Sequence, residues 1–246
     1  MAQYSFGTGN LFIIPSGSNP TPIQVGVLKD VSLDISFTTK ELRGAYQFPV
    51  DVARAGGKIA GKAKTGQISG ALINSMLTGA TSSAGTVKGV TAEAGTVGSS
   101  PYTVTVANSA NFTTDLGVYH VESGKYLTRV ASGDTPVAGV SYKVTSGVYT
   151  FAAGDTGKAV QISYAYTASA SGQTNSLSNA LMGSGTTFVL HVYNTFKGKD
   201  MGIKLYAVTF SKFALGFKNE DYTDQDLDFD AFADASGKVI DIYTAE

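Results

Sequence analysis

The sequence predicts an all-β protein, and three observations support this fold class. Glycine is abundant, with 29 residues among 246, and it separates short stretches rich in valine, threonine, serine and tyrosine, which is typical of strands joined by tight turns. The stretch DVSLDISF, Asp30–Phe37, alternates polar and apolar residues with the period that puts successive side chains on opposite faces of a strand. Hydrophobic residues make up 43% of the chain, enough for a substantial core. We therefore expect a β-barrel or β-sandwich with one or two short helices.

The next two elements are a polar loop and a strand with a basic face. Residues Thr38–Gly57 are predicted as a long polar loop, because the stretch exceeds a hairpin turn. In the stretch KIAGKAK that follows, strand alternation places Lys58, Lys62 and Lys64 on one side. The small residues there allow a neighbouring backbone to come close.

One helix is predicted, in the stretch GALINSMLTG. Its apolar residues recur at helical spacing and a glycine closes it: Leu72, Ile73, Met76, Leu77 and Gly79. The helix is about two turns long, so it must rest on a sheet to be stable. The glycine-, serine- and threonine-rich stretch from Gly79 to Ser100 is predicted as a linker or an exposed meandering segment.

The pattern of strands suggests an interrupted core. Strands resume at Pro101 in short segments separated by turns and continue to about Ala168. A second polar link then precedes the strongest run of strands in the chain. We interpret residues 1–86 and 169–246 as a core domain and residues 87–168 as a β-rich insert. A continuous extension of the core sheets is the alternative.

Aspartate recurs at every second position near the C-terminal end: Asp224, Asp226, Asp228 and Asp230. An EF-hand calcium loop does not fit, because counting from Asp224 puts Phe229 where glycine is required and Ala235 where glutamate is required. Period-two spacing favours one charged face of a strand. A structural calcium ion and a pair of catalytic carboxylates are the alternatives, the second without a companion group in the sequence.

Few residues are available for catalysis or for a cofactor. The chain has no cysteine, which excludes disulfides, thiolate nucleophiles and cysteine-ligated zinc. Its two histidines, His120 and His191, have no serine nucleophile motif or carboxylate motif nearby. Six Gly-Lys pairs lack the flanking residues of a phosphate loop. We therefore expect no enzyme, no cofactor and no metal.

The charge and the hydropathy limit the partners. Eighteen basic and 19 acidic residues give a formal charge of −1, which makes no case for strong binding to nucleic-acid phosphates. No apolar run approaches the roughly 18 residues of a membrane-spanning helix, and the first residues show no signal-peptide core. We expect the chain to be made in the cytosol and to leave the cytosol only as part of a larger assembly.

Three segments follow the first regular strand in a fixed order. Thr39–Val50 carries K-E-L-x-G-x-x-Q-F-P-V, Ala53–Lys64 carries A-R-x-x-G-K-I-x-G-K-A-K, and Ser69–Leu77 follows as a short helix. In this order they resemble the tail tube (major tail) proteins of long-tailed bacteriophages. The last residues, from Phe213, resemble the end of the same proteins through their aspartate–aromatic alternation and a final Asp-x-x-Gly-Lys-Val hairpin. Segments within residues 112–167 are similar to stretches that recur in phage tail proteins.

This resemblance implies a structural virion protein. Its subunits would form six-membered rings by extending a sheet across subunits, and the rings would stack into a hollow tube for genome delivery. The implied partners are copies of the same chain, the initiator or baseplate, terminator and tape-measure proteins, a sheath, and DNA that passes without specific binding. The chain would be made in the host cytoplasm and reside in the phage tail, with the insert as an outer-wall extension.

Two groups of residues are expected to serve that assembly. The lumen lining is expected to comprise Asp30, Asp34, Lys58, Lys62, Lys64, Asp224, Asp226, Asp228 and Asp230. In it the aspartates would repel DNA phosphates and the lysines would temper their field. The long loop is expected to contact another subunit or ring through Lys40, Glu41, Arg43, Tyr46, Phe48 and Arg54. In it, Tyr46 and Phe48 would be anchors, and the two arginines would pair with carboxylates. The alternative function is a β-sandwich adhesion or carbohydrate-binding module of a phage tail or baseplate, which would bind glycans through the insert.

Overall fold

The computed structural model describes residues 4–17, 19–67, 69–76, 81–183 and 185–245. Within them the protein is all-β with one α-helix and two short 3-10 turns, as the sequence predicts. The elements in chain order are β1 (Asn10–Pro15), β2 (Ile23–Val25), β3 (Leu28–Arg43), β4 (Pro49–Thr65), α1 (Gly70–Met76), β5 (Thr81–Thr96), β6 (Thr103–Thr105), β7 (Phe112–His120), β8 (Lys125–Tyr126), β9 (Thr128–Arg129), β10 (Ser141–Thr145), β11 (Val148–Thr150), β12 (Ala159–Ser176), β13 (Phe188–Phe196), β14 (Lys199–Leu215), β15 (Gln225–Phe232) and β16 (Ile240–Thr244). That helix is too short to span a membrane.

The chain divides into two compact units. Unit 1 comprises Met1–Thr81 and Asn175–Glu246, and unit 2 comprises Ser82–Thr174. An insert within a core made of both chain ends is therefore present, but the expected boundaries at residues 86 and 169 lie inside strands β5 and β12. These two strands pair with each other, so the division falls where they enter and leave the sheet of unit 2.

Unit 1 contains one sheet of eight strands in the described residues. Its order is β2-β1-β13-β14-β15-β4-β3, with β16 paired to the first part of β14. All of its pairs are antiparallel. The described strands do not close into a barrel, since β2 and β3 each have one neighbour. The sheet therefore ends in open edges.

The core of unit 1 lies on one face of this sheet. Its buried residues include Leu11 on β1, Leu190 on β13, Leu205 on β14, and Leu227 and Phe229 on β15. On β15 they alternate with the aspartates, as expected of a sheet with one face buried.

Helix α1 packs on this core through two of its apolar residues. Leu72 and Met76 are both buried against the sheet residues, which explains how so short a helix is stable. The predicted helix is thus confirmed over Gly70–Met76. The expected Leu77 and the closing Gly79 lie outside the described residues.

Unit 2 has two four-stranded sheets in the described residues, ordered β6-β11-β10-β9 and β5-β12-β7-β8. Its core is aromatic, with Tyr142, Tyr149 and Tyr164 fully buried. The buried Asp115 carboxylate accepts hydrogen bonds from the Tyr142 and Tyr149 hydroxyls at 2.7 and 2.9 Å. Burial, and then the hydrogen bond to Asp115, raise the pKa of both tyrosines well above the usual value.

The expected linker after the helix is instead strand β5, Thr81–Thr96. The sequence pattern did not predict this strand, because its small residues lack the large apolar side chains that are typical of strands. The reason for them is close approach: a Cβ on Gly85 would lie 3.1 Å from the Ser169 backbone, and one on Gly95 would lie 2.6 Å from Val104. Here glycine allows the neighbouring chain segments to pack.

Candidate functional site: a charged sheet face and an exposed arm

The aspartates and lysines singled out in the sequence meet on the outer face of the unit 1 sheet. Cross-strand pairing aligns Asp30 on β3, Lys64 on β4 and Asp226 on β15 in one row. In the next row, Lys62 lies between Ser32 and Asp228. The sequence alternation is therefore confirmed, because partners in a row share a face of the sheet.

We call this surface the charged face, and its sign alternates from strand to strand. Its members are Asp30 and Asp34 on β3; Lys58, Lys62 and Lys64 on β4; Asp226, Asp228 and Asp230 on β15; and Lys212 on β14. The sequence analysis missed Lys212, which faces Asp228 across the β14–β15 ladder. A β-bulge before Lys212 shifts the alternation of β14, so only the strand pairing shows this neighbour.

Ion pairs join the two signs. Lys58 Nζ lies 3.4 Å from Asp230 Oδ1, and Lys64 Nζ lies 3.8 Å from Asp226 Oδ1. Both pairs are about half exposed, so each contributes little to stability. Five aspartates and four lysines leave this surface close to neutral. The lysines therefore temper the field of the aspartates, as the sequence predicts.

Asp224 lies just before β15 and pairs with a lysine that the sequence analysis did not select. Lys29 Nζ is 2.6 Å from Asp224 Oδ1. This hydrogen bond and ion pair lower the pKa of the carboxyl and raise that of the lysine. The contact attaches the segment before β15 to the start of β3.

The predicted loop Thr38–Gly57 is mostly not a loop. Strands β3 and β4 continue through it as an antiparallel hairpin, with pairs such as Thr39 with Arg54 and Leu42 with Asp51. Only residues 44–48 form the turn. The sequence analysis missed the hairpin because its partners are shifted by bulges beside Thr38 and Leu42, which break the simple period of two.

We call residues 36–57 the arm, because both strands extend beyond the rest of the sheet. In this stretch β3 and β4 pair only with each other, and nearly every residue is exposed. Large apolar side chains are among them: Leu42, Tyr46, Phe48, Val50 and Val52. Tyr46 is 85% exposed and Phe48 is 81% exposed. A two-stranded ribbon with such a surface is marginal by itself in water.

The two arginines of the arm have partners within the arm. Arg43 Nη2 donates to Glu41 Oε2 at 2.6 Å, so one expected carboxylate pair exists inside the chain. The Arg54 guanidinium instead lies 4.3 Å from the centre of the Phe37 ring, a cation–π contact. Lys40 is exposed and faces Ala53.

An apolar hollow of about 550 Å³, which we call the root groove, lies where the arm leaves the sheet. Its lining comprises Ile35, Phe37, Gly57, Lys58, Ile59, Ala231, Phe232, Ala233, Val239 and Ile240. Several of these side chains are exposed, including Phe37 at 51% and Phe232 at 43%. The groove is thus apolar surface at the end of the sheet that the described residues leave uncovered.

Neither histidine belongs to the charged face or to the arm. His120 is buried in unit 2, where its Nδ1 accepts a hydrogen bond from the Ser123 amide at 3.1 Å and its Nε2 is 3.8 Å from Asp155. In unit 1, His191 stacks on Tyr193, and burial and Lys204 lower its pKa. In the described part of the chain, no three histidine or acidic side chains gather in a geometry that could hold a metal ion.

Comparison of the chain with protein-family models and with curated proteins gave no match.

Proposed function

We propose that this protein is a structural subunit that polymerises, as stacked hexameric rings, into the tail tube of a long-tailed bacteriophage. The tube would be the conduit for genome delivery. The observation that carries the proposal is the arm, an exposed hairpin with apolar side chains on a sheet with open edges. It coincides with Thr39–Val50 and part of Ala53–Lys64, the segments that resemble tail tube proteins.

The open edge at β3 supports lateral assembly. Over its 16 residues, Leu28–Arg43, the described strands pair with β3 on one side only. A strand that long exposes many unpaired backbone groups on its free side, which a strand of a neighbouring copy can complete. Repeating such a head-to-tail contact around an axis closes a ring.

The charged face fits the lining of a DNA conduit. A polyanion binds tightly where contiguous lysines or arginines displace its counterions. On this face the lysines of β4 lie between the aspartates of β3 and β15, so a phosphate near Lys62 also meets Asp228. DNA would slide past such a surface without lasting contacts. This assignment places Asp226 and Asp228 on the inner wall of the tube.

Electron microscopy of the purified chain tests the proposal. We expect concentrated protein to form sixfold rings or hollow tubes, with the charged face inside in a near-atomic map. A chain that stays monomeric in size-exclusion chromatography and in micrographs, including after addition of a tail initiator complex, contradicts the assembly. A monomer with affinity for glycans would instead support the adhesion module. A tube with Asp226 and Asp228 outside would contradict the lumen assignment alone.

A further inference from the structure

The arm and the root groove are two uncovered apolar surfaces on the same unit. The arm carries Tyr46 and Phe48 near its turn, and the root groove lies between Ile35 on β3 and Ile240 on β16. Exposed apolar surfaces of this kind mark contact sites. We asked whether one can cover the other.

The arm cannot cover its own root groove. Eight residues separate Ile35 in the groove from Arg43 near the tip, about 26 Å of extended strand at roughly 3.3 Å per residue. The strand pairing continues along this length, through Lys40 with Ala53 and Glu41 with Val52. Folding the tip back would break these pairs, so an arm tip in the groove must belong to another copy.

The arm supplies a large part of the apolar area that a specific contact needs. Aromatic side chains bury about 150–250 Å² each, so Tyr46 and Phe48 together supply roughly 300 Å² or more. Leu42, Val50 and Val52 add to this, against the roughly 800 Å² per partner of a standard interface. The groove volume of about 550 Å³ is also in the range of pockets that enclose ligands of several hundred daltons.

The charges around the two surfaces are compatible. The arm carries Lys40, Arg43 and Arg54 against Glu41 and Asp51, an excess of one positive charge. Lys58 is the one ionisable residue of the groove lining, and it already pairs with Asp230 at 3.4 Å. An apolar tip therefore meets no unpaired charge from the groove lining.

We propose that the arm tip of one copy docks in the root groove of another copy. The contact is head to tail, since the two surfaces differ, and it can therefore repeat indefinitely. The inference deepens the proposed self-assembly and rests on it for its partner, a second copy of this chain. It adds the receptor surface, in which Phe232 and Ile240 receive Phe48.

The absence of cysteine from the chain allows a direct cross-linking test. Phe48→Cys on one copy and Ala233→Cys on another are mixed and oxidised, and the product is read on a non-reducing gel. Both positions are exposed, so the variants are expected to fold. A disulfide requires Cα atoms within about 7 Å, so it reports the proposed contact. The control pairs Phe48→Cys with Tyr222→Cys, which is 83% exposed and outside the groove.

We expect a cross-linked dimer of about 51 kDa, twice the mass of the 25.5 kDa chain. Its yield should be at least tenfold higher for the groove pair than for the control pair. A second receptor position, Phe232→Cys, should give the same result. Equal yields for groove and control, or no dimer with either receptor position, overturn the inference.

The outcomes separate this inference from the proposed function. Tubes in micrographs without the groove cross-link would leave the tube proposal standing and remove the docking site. A groove cross-link from a chain that forms no rings or tubes would support the docking site and contradict the tube proposal. A chain that carries both cysteines should form a ladder of oligomers under oxidation, whereas a purely intramolecular disulfide contradicts the argument from arm length.

Discussion

Gln225 and Asp226 are adjacent in the sequence but meet opposite surroundings. Asp226 lies on the charged face beside Lys64, whereas Gln225 points to the core and is fully buried. Neither the oxygen nor the nitrogen of the Gln225 amide has a hydrogen-bond partner. A buried amide without partners costs free energy, because it has given up its bonds to water.

Replacing this amide with an apolar side chain should stabilise unit 1. We expect Gln225→Met to raise the free energy of unfolding by about 1–2 kcal/mol, since it removes the unmet polar atoms at similar volume. The measurement is urea unfolding followed by circular dichroism. Gln24→Met is the matched control, since Gln24 is exposed and bonded to Asn10, and it should change stability by less than about 0.5 kcal/mol. A destabilised Gln225→Met would show that the amide has a stabilising role.

At the scale of elements, the arm combines regular strand pairing with almost no burial. Its ladder satisfies the backbone between β3 and β4, while its side chains lie in solvent. Such an element adds little to the folding of its own chain and has apolar surface to offer a partner. Its contribution should therefore be to assembly and not to stability.

Shortening the arm tests this division. Replacing residues 40–53 with Asn-Gly closes the hairpin at the Thr39–Arg54 pair with a favoured two-residue turn. We expect the free energy of unfolding to change by less than about 1 kcal/mol and polymerisation, followed by light scattering, to be lost.

Point variants refine the same test. Tyr46→Ala with Phe48→Ala should weaken polymerisation in the same way. Tyr126→Ala in unit 2, where the side chain is 75% exposed, should leave it unchanged. Normal polymerisation by the shortened arm would contradict its role in assembly.

At the scale of the whole molecule, the two units have separate cores of different chemistry. The core of unit 1 is mainly aliphatic with phenylalanine, whereas that of unit 2 contains three fully buried tyrosines. Tyr142 and Tyr149 share the Asp115 carboxylate. The units should therefore respond differently to alkaline pH.

We expect the stability of unit 2 to fall at high pH. The folded-state pKa of Tyr142 and Tyr149 is raised above the usual value near 10, so above that pH the unfolded chain loses protons that the folded chain retains. The raised pKa values therefore contribute fully to the free energy of unfolding below about pH 10. This contribution is lost as the pH rises further, by up to about 1.4 kcal/mol per pH unit for each tyrosine. Urea unfolding at a series of pH values, read by tyrosine absorbance, measures this slope.

Two variants identify the groups responsible. Burial also raises the pKa of Tyr164, so three buried tyrosines of unit 2 contribute to the slope. Tyr149→Phe removes one of these three hydroxyls and should reduce the slope by about a third. Tyr126→Phe alters an exposed tyrosine and should leave it unchanged. An unchanged slope in Tyr149→Phe would assign the alkaline transition to other groups.

Much of the sheet follows from local patterns. The alternation in Asp30–Phe37 and along the aspartates of β15 identifies which side chains share a face, because the strand period is a property of the backbone. Helix α1 was predictable for the same reason. Strand β5 and the arm were not, since a glycine-rich strand and a bulged hairpin lack a clear period, and pairing with β12 or between β3 and β4 decides their structure.

Local sequence patterns were sufficient for the fold class and for the faces of the regular strands, but they left an insert and a continuous sheet extension as alternatives. The long-range pairing of strands divides the chain into two units and puts the aspartates of β3 and β15 on either side of the lysines of β4. It also decided where the arm projects and where the root groove lies. Strand order is non-local: β15 joins β4 across about 160 residues of chain, and no periodicity within a strand records which strand will lie beside it.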